Sequence, residues 1–184
     1  RHETFWIHEP RFASIQEATR FLLTVGWSFR TSAELLQRHH EIIVDFFQPV
    51  SWHLARIDRC IENARRGVDH LIGIHIRHTD YQKFNGGKWF YALSVYRRMM
   101  EEVQAQLSGK TRFLVCTDGV FDASAFDGLD VVRGTGVPVE DCYELSRCDL
   151  ILGPPSTFSL WASYYGKVPV LHIRDANQTI SIPD

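Results

Sequence analysis

The sequence predicts an α/β fold, a Rossmann-like parallel sheet with flanking helices, and three observations carry that reading. Short apolar runs at residues 71–76, 112–116, 131–132, 150–152 and 168–173 recur roughly 20 to 40 residues apart, the spacing of βα units. Helical stretches at 92–107, 122–126, 139–147 and 158–165 fall between them, so the order is βαβα. The run Leu71-Ile72-Gly73-Ile74-His75-Ile76 ends abruptly in Arg77, His78, Thr79, Asp80 and Tyr81, as a buried strand does when it delivers polar side chains to a sheet edge.

Upstream of the sheet the periodicity is helical. Residues 1–12 are irregular. Ser14 can cap a helix carrying Ile15, Ala18, Phe21 and Leu22, and Gly26 with Trp27 and Phe29 breaks it. Ser32 can cap a second helix, with Leu35, Leu36, Ile42, Ile43 and Phe46 on one face, and Pro49 closes it. Ser51 opens a third, through about Arg66, with Trp52, Leu54, Ala55, Ile57 and Ile61 as its apolar positions. The texture changes after Gly67. Residues 67–184 are expected to form the Rossmann-like domain, and residues 1–66 a helical bridge or the remnant of a preceding domain.

Bulk properties bound the function. A chain of 184 residues has room for one domain, or one plus part of another. The formal charge of −2 argues against nucleic acid as a partner, since such proteins are strongly basic. Cys60, Cys116, Cys142 and Cys148 show no CxxC or CxxH spacing, which reads as reduced, mostly buried thiols of a cytoplasmic protein. No apolar stretch is long enough to span a bilayer, which leaves peripheral association as the one membrane contact to consider.

Open α/β sheets bind ligands outside the carboxyl ends of their strands. Four segments bring polar groups there: His75-x-Arg77-x-x-Asp80-Tyr81, Thr117-Asp118-Gly119, Glu140-Asp141, and Gly153-Pro154-Pro155-Ser156-Thr157-Phe158-Ser159. Arg77 is a permanently charged fork suited to phosphate oxygens, or alternatively a salt-bridge partner for Asp80. Pro154 and Pro155 force a turn, after which Ser156 and Thr157 fall at a helix N-terminus. There free N–H groups and the helix dipole favour an anion, and Ser156 is equally suited to simple capping. Asp118 and Asp141 read as turn or helix-start acids, or one of them as a base-reading carboxylate. Guanine offers two adjacent N–H donors that one carboxylate can accept together. His75, His78 and Asp80 lack any recognised zinc spacing, and Arg77 beside them would repel a cation, so no metal is expected.

His75-Ile76-Arg77-His78-Thr79-Asp80-Tyr81 resembles the first motif, His-x-Arg-Arg-x-Asp, of the α-1,2-fucosyltransferases and the related α-1,6- and O-fucosyltransferases. Glu140-Asp141, Leu145 to Asp149 and Ser156-Thr157-Phe158-Ser159-Leu160-Trp161-Ala162 are similar to their later motif, and Thr117-Asp118 to their Ser/Thr-Asp-Asp. The resemblance implies the C-terminal, donor-binding half of a GT-B-type glycosyltransferase, with residues 1–66 left from an acceptor-side domain. It implies a metal-independent, inverting transfer of fucose from GDP-fucose to a glycan hydroxyl, with no cofactor beyond the donor.

Carried over by motif, Arg77 would hold the β-phosphate, His75 would lie against the nucleotide and Asp141 would read guanine. Ser156, Thr157 and Phe158 would contact the diphosphate, with Asp80 and Asp118 in support. Residues 81–87 would form a mobile wall over the sugar. His75, Asp80 and His78 stand open as the general base. Two positions depart from the pattern: His78 replaces the second arginine and Gly119 the second aspartate. The departure at His78 weakens diphosphate neutralisation unless that imidazole is charged or Lys88 reaches in. A transferase using another GDP-sugar, and a catalytically silent nucleotide-binding module, are the alternatives.

Overall fold

The computed structural model describes residues 32–182, so the helix expected from Ser14 and the break at Gly26 lie outside the described residues. The chain divides into two compact units, Arg1–Phe46 and Phe47–Asp184. In the first, Ser32 caps α1 (Ala33–Arg38) by accepting from the Leu35 N–H at 3.3 Å. A single helix was the expectation here; His39, at φ −105° and ψ 13°, instead separates α1 from α2 (His40–Phe46).

The second unit contains α3 (Ser51–Arg65), β1 (His70–Ile76), α4 (Leu93–Gln106), β2 (Thr111–Thr117), β3 (Val131–Arg133), α5 (Pro138–Leu145), β4 (Leu150–Gly153), α6 (Thr157–Gly166) and β5 (Val170–His172). All strands pair in parallel, in the order β3-β2-β1-β4-β5. The chain runs outward from β1 through β2 to β3, then crosses back to lay β4 on the other side of β1. That reversal is the topological switch point of a doubly wound sheet, the place where such folds open a crevice.

Strand alternation sorts the core into two layers. Ile72, Ile74 and Ile76 of β1, with Phe113 and Val115 of β2, pack on Tyr96, Met99, Met100 and Val103 of α4. Leu71 of β1 with Leu114 and Cys116 of β2 face the other way, onto Ile57, Ile61 and Ala64 of α3 and onto Cys142, Leu145 and Cys148 beside them. A Cβ on Gly73 would stand 2.7 Å from Leu145 and 3.0 Å from the Cys148 sulfur, so the bare strand lets α5 approach closely. The four thiols are free, three of them buried in this second layer.

The sheet unit begins earlier than residue 67. Glu140 on α5 is fully buried and accepts from Arg56 Nε at 3.0 Å, with His53 Nδ1 at 2.8 Å, so α3 is fastened to α5 by ion pairs as well as by apolar contact. Arg65 at the end of α3 forks onto Asp149 at 2.7 and 3.2 Å, and Asp149 also accepts the Leu71 N–H. The segment expected at 122–126 as a helix is a short 3-10 turn, Ala123–Phe126, started by Asp122. Among the described residues no helix is long and apolar enough to cross a membrane.

Candidate functional site

At the carboxyl edge of the sheet, a cavity of about 290 Å³ is lined by residues from every strand exit on one side of the switch point. His75 is the next-to-last residue of β1, and Arg77 follows the strand. Cys116, Thr117, Asp118 and Gly119 come from the end of β2, and Arg133 from the end of β3. Gly136, Pro138 and Asp141 come from the turn into α5 and its first residues, and Phe158 from the first turn of α6.

Arg77 donates from Nε and Nη2 to the two carboxylate oxygens of Asp80 at 2.8 and 3.0 Å, and lies 3.6 Å from Asp118. The salt-bridge reading of Arg77 is therefore realised. It does not compete with anion binding, because Asp80 takes one edge of the fork and leaves Nη1. Asp118 accepts from the backbone N–H of His78 at 2.7 Å and the hydroxyl of Thr79 at 2.6 Å. It thus ties the exit of β1 to that of β2, a positioning task. Asp80 itself does not line the cavity.

His75 is buried and its Nδ1 has no hydrogen-bond partner. Its ring stacks on Phe158 at 5.0 Å and 29°, joining β1 to α6. Burial and then the Arg77 charge push its pKa down to about 4, so the imidazole is neutral at ordinary pH. His78 turns elsewhere: Nε2 lies 2.7 Å from the Tyr91 carbonyl and the ring packs on Phe90 at 4.8 Å. Lys88 sits over the Trp89 ring at 5.8 Å. Neither His78 nor Lys88 is among the cavity's walls.

Asp141 is buried, and its Oδ1 accepts the Gly136 N–H at 2.8 Å and the Thr135 hydroxyl at 3.3 Å. Burial drives its pKa up to about 6, with the Gly136 and Thr135 donors pulling back. One helical turn on, Glu144 is fully buried, accepts the Thr135 N–H at 3.2 Å, and is pushed by burial up to about 7. Sequence reasoning missed Glu144, although its i, i+3 spacing from Asp141 places both on one helix face. It also missed Arg133, whose signal was an arginine directly after the apolar pair Val131-Val132.

Cys116, Asp141 and Glu144 bring ligand-type atoms within 4.8 Å of one another. These atoms surround Gly134, whose Cβ would stand 2.6 Å from Glu144 Oε2, 2.9 Å from Asp141 Oδ1 and 3.0 Å from the Cys116 sulfur. The space they share is thus taken up against the backbone of Gly134. His75, His78 and Asp80 do not converge on a common point: each has the separate environment described above.

The turn before α6 is fixed by Tyr81, whose hydroxyl donates to the Pro155 carbonyl at 2.6 Å. Ser156 caps α6, its hydroxyl oxygen accepting the Phe158 N–H at 3.2 Å. Capping uses a lone pair and leaves the O–H proton free to donate. Ser156 and Thr157 stand outside the cavity wall that Phe158 completes. Residues 81–87, expected as a wall, form two short 3-10 turns, Asp80–Gln82 and Phe84–Gly87. They are held by stacking of buried Tyr81 on Phe84 at 5.5 Å.

The architecture is that of a Rossmann-like α/β half-domain, five parallel strands with flanking helices, as the sequence predicts. The fold is shared with POFUT1: a crystal structure of its apo form superposes with a TM-score of 0.50 at 12% identity, covering 77% of this chain and 50% of that one. A crystal structure of POFUT1 in complex with GDP gives a TM-score of 0.49 at 12% identity over the same shares. The chain spans about half the length of these proteins, and the likeness is one of fold. No protein-family model matches the sequence, and no curated protein matches it.

Proposed function

We propose that this chain is the donor-binding part of a fucosyltransferase-like glycosyltransferase, taking GDP-fucose in the cavity at the switch point. The observation that carries the reading is the joint presence of Arg77, Asp141 and Phe158, from three separate elements, on one cavity. Arg77 is the phosphate ligand, offering Nη1 to the β-phosphate while Asp80 and Asp118 hold its other edge. Asp141, once ionised, accepts the paired N–H groups of guanine. Neutral His75 and Phe158 form the flat wall on which the nucleotide lies, and the Ser156 and Thr157 hydroxyls reach the diphosphate from the rim.

Departure of GDP develops negative charge on the diphosphate. Arg77 and the N-terminal donors of α6 stabilise that charge without a metal. The transfer inverts the anomeric centre and places fucose on a glycan hydroxyl, with an α-1,2 linkage suggested by the sequence motif. Asp80, committed to Arg77, is the weaker candidate for general base. His75, which lines the cavity and has a buried, unpartnered Nδ1, is the stronger. The part of residues 1–66 that precedes the sheet unit belongs, on this reading, to the acceptor side, and the unpaired thiols fit a cytoplasmic setting.

Calorimetry with GDP tests the proposal. The wild-type protein should bind, and Arg77→Ala should weaken binding by about 2–4 kcal/mol, roughly 30- to 1000-fold. Unchanged affinity in that variant removes Arg77 from the site. GDP binding without turnover of GDP-fucose, in the presence of varied glycan acceptors, would favour a silent nucleotide-binding module instead.

A further inference from the structure

The cavity contains a second arginine that the motif does not supply. Arg133 is the last residue of β3, in register with Val115, and lines the cavity with Asp141. Its guanidinium lies against the turn into α5, where a Cβ on Gly136 would come within 3.2 Å of Nη2. Gly136 is at φ +74° and carries no side chain to keep the arginine away. The same Gly136 donates its N–H to Asp141 Oδ1 at 2.8 Å. Guanidinium and carboxylate therefore flank a single residue and open on the same space.

Arg133 is also uncommitted. Arg77, Arg112 and Arg147 each pair with a carboxylate. Among the described residues the Arg133 guanidinium has no hydrogen bond or ion pair; it lies 5.9 Å from the Phe121 ring, and its charge acts on the Asp141 carboxyl. In the sheet order, β2 separates β3 from β1. Strands lie about 4.8 Å apart, so the exits carrying Arg133 and Arg77 are on the order of 10 Å apart. That is the length of a nucleoside more than of a diphosphate, and it puts Arg133 at the base end, opposite the phosphate end held by Arg77.

We infer that Arg133 is a specificity-determining residue that reads the guanine edge next to the one Asp141 takes, donating its fork to O6 and N7. A guanidinium matches those two acceptors, whereas adenine presents an amino donor in place of O6 and meets the fork with like-signed hydrogens. Asp141 takes the N1 and N2 hydrogens, so the two side chains together specify every polar edge that distinguishes guanine. The inference rests on the cavity being the nucleotide site.

The test is calorimetry of the whole chain with GDP, IDP and ADP, in wild type and Arg133→Ala. IDP keeps O6, N7 and N1–H but lacks the 2-amino group that Asp141 would accept. In Arg133→Ala, affinities for GDP and IDP should fall together by about tenfold or more while that for ADP changes little. Arg133 is exposed, so the thermal midpoint should stay in place. Equal losses for all three nucleotides would mark Arg133 as a phosphate or general-field contact and overturn the inference, as would no loss for GDP. Wild-type protein that binds GDP in an Arg77-dependent way but shows either of those patterns keeps the donor reading and loses only this one. Wild-type protein that binds none of the three overturns both.

Discussion

Tyr81 and Pro155, far apart in sequence, meet through a 2.6 Å hydrogen bond from phenol to carbonyl. The Tyr81 ring also lies 5.6 Å from the Arg77 guanidinium carbon. One side chain thus links the arginine at the exit of β1 to the turn that opens α6, and keeps both on the same side of the sheet. Tyr81→Phe should cost about 1 kcal/mol in chemical denaturation. GDP affinity should also drop several-fold as the α6 turn loosens relative to Arg77. Loss of stability with unchanged affinity would make the bond purely structural.

Nucleotide binding should depend on pH through Asp141. The carboxylate can accept from guanine only when ionised, and burial holds its pKa at about 6. GDP affinity should therefore rise as pH increases through that value and level off above it. Asp141→Asn should remove the dependence and narrow the preference for GDP over ADP. Calorimetry across about pH 5 to 8 measures both effects.

Folding stability should move the opposite way. Asp141 and Glu144 have folded pKa values raised by burial, to about 6 and about 7 from 3.8 and 4.5. The folded state thus holds these protons more tightly than the unfolded chain. The resulting stability is complete below the unfolded values and is lost as pH rises through the folded ones. Between about pH 4.5 and 8 the loss should be on the order of 5 kcal/mol. Glu144→Gln should flatten the upper part of the curve, as read by urea denaturation at a series of pH values.

Gly134→Ala should disturb stability and site together. The added carbon would stand 2.6 Å from Glu144 Oε2 and 2.9 Å from Asp141 Oδ1. Overpacking of this kind costs about 1–3 kcal/mol. It should lower the melting temperature and, by displacing Asp141, the affinity for GDP. A melting temperature equal to wild type would mean that the acid pair yields freely.

The sheet was legible because its strands are short, apolar and evenly spaced, and each strand lies within a residue or two of the predicted run. The helix 32–46 was overread because the apolar spacing continues through His39, where the backbone leaves helical geometry. Placing α3 with the upstream segment followed from its helical texture. What fastens it to the sheet unit is long-range, chiefly Glu140 meeting His53 and Arg56, and periodicity carries no such information. In the site, Arg77 and Asp141 could be found because each follows a strand or opens a helix. The ring of His78 could not be placed from sequence, because its direction is set by the Tyr91 carbonyl. Arg133 follows so brief an apolar run that its strand barely registers, and Glu144 becomes visible only when Thr135 is seen to turn back onto it.

β1 has neighbours on both edges and an apolar layer on both faces, and His75, Arg77 and Asp80 are carried on it or on the turn just beyond its end. Among the described residues, the most deeply anchored strand is therefore the one from which the proposed phosphate seat projects. An incoming nucleotide would meet a receptor already cast in its working form, with little left to mould on arrival. Any motion that admits or releases ligand would have to come from the rim around Ser156 and Thr157, since the floor cannot yield without unzipping the sheet's centre.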